Sequence, residues 1–128
     1  MKVAFVHIKD RKVLVALNEG NDTWFLPGGH REAGETEEQT LIREVKEELD
    51  VDILLDSIKY FDTFEAQAHG APEGELVTVA CYSASFEGEL TASSEISEID
   101  FFSYGMKDRT SAPTQLVLDD LKRQGRIA

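Results

Sequence analysis

Between Thr36 and Asp50 the chain reads T-E-E-Q-T-L-I-R-E-V-K-E-E-L-D, and no other stretch restricts the fold as tightly. Thr36 followed by Gln39 has the Ser/Thr-x-x-Glu/Gln spacing of a capping box, in which each side chain meets the other residue's backbone N–H. Glu37 and Glu38 then occupy the first turn, where the helix dipole favours negative charge. A helix is therefore predicted to start at Thr36. Leu41, Ile42, Val45 and Leu49 span an arc of roughly 100°, a stripe wide enough to pack on a core. Asp50 is the predicted stop, because Asp accepts a left-handed backbone more readily than most residues with a Cβ. Val51 should open the next strand.

Glu44, Glu47 and Glu48 stand at spacings of three and four, so a helix projects their carboxylates from one side, beside the apolar stripe. Three convergent carboxylates repel unless a hard cation neutralises them. Oxygen ligands of this kind suit Mg²⁺ or Mn²⁺. Glutamate runs more often mark a solvated face. Arg43 beside Glu44, with Glu35 eight residues upstream, supplies a cation able to orient a neighbouring carboxylate, and a plain solvent face has no need of one.

Elsewhere the pattern predicts strands at Val3 to Ile8 and Lys12 to Leu17 around a turn at Asp10, followed by a loop from Asn18 to Asp22. Thr23 to Leu26 reads as a short strand ended by Pro27, and Gly28-Gly29 as a pair that allows a tight turn and close approach of the backbone. Strand-like runs lie within Ile53 to Glu65 and Leu76 to Phe86, a hairpin pair joined by the long loop Ala66 to Glu75. Ile99 to Tyr104 is the last predicted strand. Pro113 opens a second helix with Leu116, Val117 and Leu121 as its stripe, Lys122 and Arg123 in its final turn and Gly125 as its end. A mixed sheet flanked by two helices follows.

The 128 residues suit one domain spanning 1–128. No apolar run approaches the roughly eighteen residues of a membrane span, and Met-Lys-Val-Ala-Phe-Val lacks the apolar core and cleavage site of a secretory signal, which points to the cytoplasm. Cys81, the single cysteine, reads as a small core residue. A net charge of −12 argues against stable nucleic-acid binding, which needs a basic surface to displace counterions. Eight acidic and three basic residues fall between Arg31 and Asp50, so much of the excess sits where the cation is expected.

The segment from Gly29 to Val51 resembles the Nudix box, G-x5-E-x7-R-E-U-x-E-E-x-G-U with U aliphatic. Gly29, Glu35, Arg43, Glu44, Val45, Glu47, Glu48 and Val51 match in one unbroken register, eight of nine specified positions. Asp50 departs, standing where the pattern has its second glycine, and this touches the end of the helix rather than the carboxylates. The approach Leu26-Pro27-Gly28-Gly29 is similar to that family as well. The resemblance implies a Nudix-type α/β/α sandwich, with a mixed β-sheet between helices. It also implies divalent-metal-dependent hydrolysis of a pyrophosphate bond in a small nucleoside diphosphate derivative. Glu44 is implied as the leading metal ligand and a partner for the attacking water, Glu47 and Glu48 as further ligands, and the carbonyl of Gly28 as completing the shell. Arg43 is implied to orient Glu44 and pair with Glu35.

Such families often place a further catalytic glutamate outside the box, and here Glu98 is the first candidate and Glu95 the second, both read as loop residues before the last strand. His69 could reach a phosphate or base from its loop. His30 and His7 are read as non-catalytic, and Trp24 and Phe25 as packing residues. The tyrosine and proline markers of the dinucleoside polyphosphate and ADP-ribose subfamilies do not appear, since Ala66 to His69 occupy that neighbourhood. A compact chain without them leans toward a MutT-like nucleoside triphosphate pyrophosphohydrolase. The alternatives are a nucleotide- or metabolite-sensing module without useful turnover, against which the intact glutamates weigh, and an RNA 5′-end pyrophosphohydrolase, disfavoured by the lack of a basic stripe. Monomer and homodimer stay equally open.

Overall fold

The apolar run Val3 to Ile8 does not form one strand; it is shared between two sheets. In the computed structural model, which describes residues 1–128, β1 (Lys2–Phe5) pairs parallel with β7 (Leu76–Ser83) and antiparallel with β4 (Gly28–His30). The chain then crosses to a second sheet, where β2 (Ile8–Lys9) pairs with β3 (Lys12–Asn18). Asp10 and Arg11 turn the corner with φ of 53° and 59°, the two left-handed positions that a tight two-residue hairpin requires.

The larger sheet has the order β4-β1-β7-β6, with β6 (Lys59–Gln67) antiparallel to β7, and the smaller has β2-β3-β9, with β9 (Ile96–Phe102) antiparallel to β3. A minor pair joins β5 (Asp52–Ile53) to β8 (Phe86–Glu87). Alternation along the strands decides what packs where. Val3, Phe5 and Leu14 face helix α1 (Glu37–Leu49) and meet its Leu41, Val45 and Leu49. Ala4, Val6, Val13 and Val15 face the other way, toward Val117, Leu118 and Leu121 of α2 (Ala112–Arg123). Sheets between two helical layers give the expected α/β/α sandwich.

Several boundaries depart from the sequence reading. Trp24 and Phe25 form single bridges to Thr110 and Ala16, not a strand. Gly28 and Gly29 lie in β4, not in a turn, because bare backbone can approach β1 there: a Cβ on Gly28 would stand 2.0 Å from the Val3 carbonyl oxygen. The run after Ile53 is broken by a 3-10 turn at Leu55–Ser57. On α2 it is Leu118 that is buried, while Leu116 is exposed. The last strand begins at Ile96, three residues earlier than predicted, since pairing with β3 continues through Asn18. Cys81 is fully buried, as expected, and burial pushes its thiol up to about 12.

Candidate active site

Helix α1 carries the box carboxylates, and short-range contacts fix its start. The Gln39 N–H donates to Thr36 Oγ1 at 3.1 Å and the Thr36 N–H donates to Gln39 Oε1 at 2.9 Å, the reciprocal capping box predicted. Tyr82 of β7 donates its hydroxyl to Glu37 Oε1 at 2.6 Å, tying the first turn to the central sheet. At the far end Asp50 adopts φ 55°, ψ 38° and its N–H reaches the Lys46 carbonyl at 3.1 Å. The residue that departs from the box pattern therefore still ends the helix in the left-handed conformation a glycine would take.

Arg43 is the hub. Its Nε and Nη2 donate to the two oxygens of Glu35 at 2.7 and 2.9 Å, a bidentate fork. Its Nη1 donates to Glu44 Oε1 at 2.7 Å and its Nη2 also reaches the His30 carbonyl at 3.1 Å. Glu35 further accepts from the Glu32 N–H and the Thr40 hydroxyl, and the Arg43 hydrogen bonds, ahead of these, hold its carboxyl down to about 2. Arg43 itself is raised above its ordinary value, chiefly by Glu35.

Glu48 turns inward, accepting the Gly28 N–H at 2.8 Å. Burial raises its carboxyl to about 8, and the charges of Glu44 and Glu47 push the same way against the Gly28 hydrogen bond and Lys2. Glu47 is exposed and forms no ion pair. The three carboxylates thus share one side of α1, but each takes a different environment, and no three acidic, histidine or cysteine side chains are gathered in ligating geometry. This corrects the expected convergence. Glu44 is held by Arg43 and Glu48 by the β4 backbone, while the charges of Glu44 and Glu47 still act on Glu48.

The donor set nonetheless fits a hard cation. Arg43 is already committed to Glu35 and Glu44, which leaves the half-buried Glu48 with a single backbone donor and no side-chain cation bonded to it. Gly29 leaves room beside Glu44, since a Cβ there would lie 2.4 Å from the Glu44 carboxyl carbon. Glu44 Oε2 has no hydrogen-bond partner within the protein.

Beside β4 a cavity of about 230 Å³ is walled by Lys2, His30, Phe25, Pro113, Val77 and His69, among others. Trp24 is buried against Phe102, with ring centroids 5.1 Å apart, whereas Phe25 borders the cavity, so only the first is plain packing. Lys2, never singled out in the sequence, enters the site because β1 places it opposite His30. Glu98 lies within β9 opposite Leu17, exposed, with no hydrogen bond or ion pair to the box; Glu95 precedes that strand beside Asn18, Glu19 and Asn21. His7 packs among Phe5, Phe86 and Phe101, remote in role from this surface.

The NUDIX domain family model matches residues 2–115. The chain belongs to the Nudix family. An ADP-ribose pyrophosphatase of Methanocaldococcus jannaschii is 27% identical over 118 residues, which cover 90% of this chain and 68% of that protein. A MutT NUDIX hydrolase from Burkholderia pseudomallei superposes with a TM-score of 0.74 at 20% identity, covering 92% of this chain and 94% of that one. The E. coli dihydroneopterin triphosphate pyrophosphohydrolase gives 0.73 at 21% identity, over 96% and 94% of the two chains. As a Nudix hydrolase the protein acts on phosphoric anhydrides. Nudix hydrolases in general use divalent metals and small nucleotide substrates. No helix of the chain is long and apolar enough to cross a membrane.

Proposed function

We propose that this Nudix protein is a Mg²⁺-dependent pyrophosphohydrolase of nucleoside triphosphates, with Mn²⁺ as the alternative ion. The observation that carries the reading is the Arg43 clamp, which ties Glu35 of the preceding loop to Glu44 on the helix side from which Glu48 reaches the Gly28 backbone, next to a cavity rimmed by Lys2 and His30. Glu44, Glu47 and Glu48, with the Gly28 carbonyl, would hold the ion. When bound, it neutralises phosphate oxygens and acidifies water.

The chain's own residues supply orientation and proton transfer. Arg43, through its 2.7 Å contact, leaves Glu44 one uncommitted oxygen, Oε2, to accept the proton of the attacking water. One P–O bond forms to that water and the bridging P–O bond breaks, the leaving phosphate departing with the electron pair. Lys2 lies where it can offset that charge. Glu98 has no step in this scheme; Glu98→Gln compared with wild type tests whether it joins the site during turnover.

A second reading, an ADP-ribose-type diphosphate as substrate, draws on the M. jannaschii relative. Purified protein incubated with Mg²⁺ and a panel of nucleoside triphosphates, oxidised nucleotides, dinucleoside polyphosphates, ADP-ribose and nucleotide sugars, with products resolved by chromatography, separates the two. Glu44→Gln should lower kcat by about 10²-fold or more with the fold intact. Wild-type turnover in that variant refutes the assignment of Glu44. Ligand binding without any product would favour a sensing module, and cleavage of RNA 5′ ends would favour the end-processing alternative.

A further inference from the structure

The larger and smaller sheets have four edges between them, and two of those edges are long. β4 and β2 end one side of each sheet with three and two residues. At the opposite sides stand β6 with nine residues and β9 with seven, each paired with a single neighbour. An open edge of that length offers a row of unpaired N–H and C=O groups to any arriving strand, one from a second copy of the chain included.

The neighbouring bonds identify which groups point off these edges. The Tyr82 carbonyl accepts the Val6 N–H, so Tyr82 faces β1, and alternation along β7 turns Ala80 the same way. Thr63 lies opposite Ala80, in a pair without mutual hydrogen bonds, and its N–H therefore points away from β7. In the other sheet the Leu14 N–H donates to the His7 carbonyl, so Phe101, opposite Leu14, likewise turns its N–H away from β3. Both outward donors are already taken. The Thr63 N–H donates to Asp62 Oδ1 at 2.8 Å, and the Phe101 N–H donates to Asp100 Oδ1 at 2.7 Å. Each acceptor is the exposed carboxylate of the residue just before. Asp is depleted in strands, yet the same arrangement stands once on each long edge. A register shift between Tyr60 and Asp62 distorts the β6 edge further.

We propose that Asp62 and Asp100 guard the two long sheet edges: each carboxylate occupies an outward N–H and so blocks a second copy of this chain from adding by strand pairing at β6 or β9. An arriving strand would have to displace the carboxylate from its donor and leave that charge beside the new ladder, where desolvation penalises it. The role is independent of the substrate proposed above. Opening one edge and opening both have different consequences. A single open edge pairs with the same edge of another copy about a two-fold axis, and assembly stops at a dimer; with both open, contacts through β6 and through β9 can alternate into open-ended chains.

Analytical ultracentrifugation of the full chain from about 10 to about 500 µM, with circular dichroism of each variant, tests this. At the top of that range Asp62→Ala and Asp100→Ala should each approach about twice the wild-type mass, and the double variant should exceed about fourfold, all with the wild-type spectrum. Asp62→Asn and Asp100→Asn keep an acceptor oxygen while losing the charge, and both should sediment as wild type. So should Asp108→Ala, which removes an exposed charge outside both strands. Alanine variants that match wild type at every concentration overturn the proposal. Asn variants or Asp108→Ala that associate as strongly as the edge alanine variants also overturn it, since lost charge and not a freed N–H would then be the cause. Association accompanied by a changed spectrum overturns it as well, because misfolding would explain the contact.

Discussion

Arg43 commits three of its nitrogens to carboxylates and a carbonyl on three different segments, and the two glycines of β4 set how closely those segments meet. Gly28 and Gly29 are adjacent but unequal. At Gly28 φ is +144° and a Cβ would strike the β1 backbone, so Gly28→Ala should lose roughly 3 kcal/mol of stability. At Gly29 the three atoms nearest an added Cβ all belong to the Glu44 side-chain carboxylate and none to backbone, so Gly29→Ala should displace Glu44 from its Arg43 contact and melt within a few degrees of wild type while hydrolysis collapses. Thermal melts alongside kcat measurements check both; equal loss of stability in the two variants would count against this account. Glu35 carries a separate signature. Its carboxyl is depressed from 4.5 to about 2 in the folded state, chiefly by the Arg43 hydrogen bonds. A lowered acid contributes stability that is whole above its unfolded value and disappears as pH falls through the folded one. Glu35→Gln should accordingly flatten the decline in stability between pH 4.5 and about 2, as read from urea midpoints across that window. An unaltered acid limb would mean that the fork is not kept in solution.

Helix α1 is the element whose structure was most legible in the residues, because everything that defines it is local. The cap at Thr36, the stop at Asp50 and the stripe of Leu41, Val45 and Leu49 each depend on neighbours within one or two turns, and all three appear where the spacing placed them. Thr36→Ala removes one half of the reciprocal cap and should cost about 1 kcal/mol in chemical denaturation. Thr36→Ser should recover most of it. What the residues did not disclose depends on contacts distant in sequence. Val3 to Ile8 gives no sign that the chain will leave one sheet for another after Phe5, since both halves are apolar and either register buries them. Gly28-Gly29 looks like a turn until β1 arrives to pair with it. Glu98 looks like a loop glutamate until Leu17 claims it for β9. The site divides in the same way: the Arg43 pairing with Glu35 and Glu44 is what the family resemblance implied, but Glu48 turning to the Gly28 N–H and Lys2 joining the cavity require the assembled sheet.

Across the whole molecule, charge is segregated rather than merely negative. The net charge of −12 surrounds a cavity whose lining holds no acid, so an anionic nucleotide approaching from solution meets repulsion first and attraction only within the last few ångströms. Lys2 is the permanent cation among those lining groups; burial lowers the His30 pKa, with Lys2 and the N-terminus acting in the same direction. One permanent local cation cannot offset the field of the whole surface beyond a Debye length, about 8 Å at physiological salt and about 30 Å at 0.01 M. Long-range repulsion therefore governs encounter at low salt and is screened at high salt. It follows that kcat/KM for a nucleoside triphosphate, at fixed free Mg²⁺, should rise as KCl is raised from about 10 to about 150 mM. Lys2→Ala should lower the whole curve and steepen its rise, since the one attraction that salt would weaken is then gone. A kcat/KM that falls with salt in wild type would mean that the basic end of the cavity, not the surface, dominates the field felt by the substrate. Lys2 and its neighbours would then steer the nucleotide as well as hold it, and Lys2→Ala should abolish the fall.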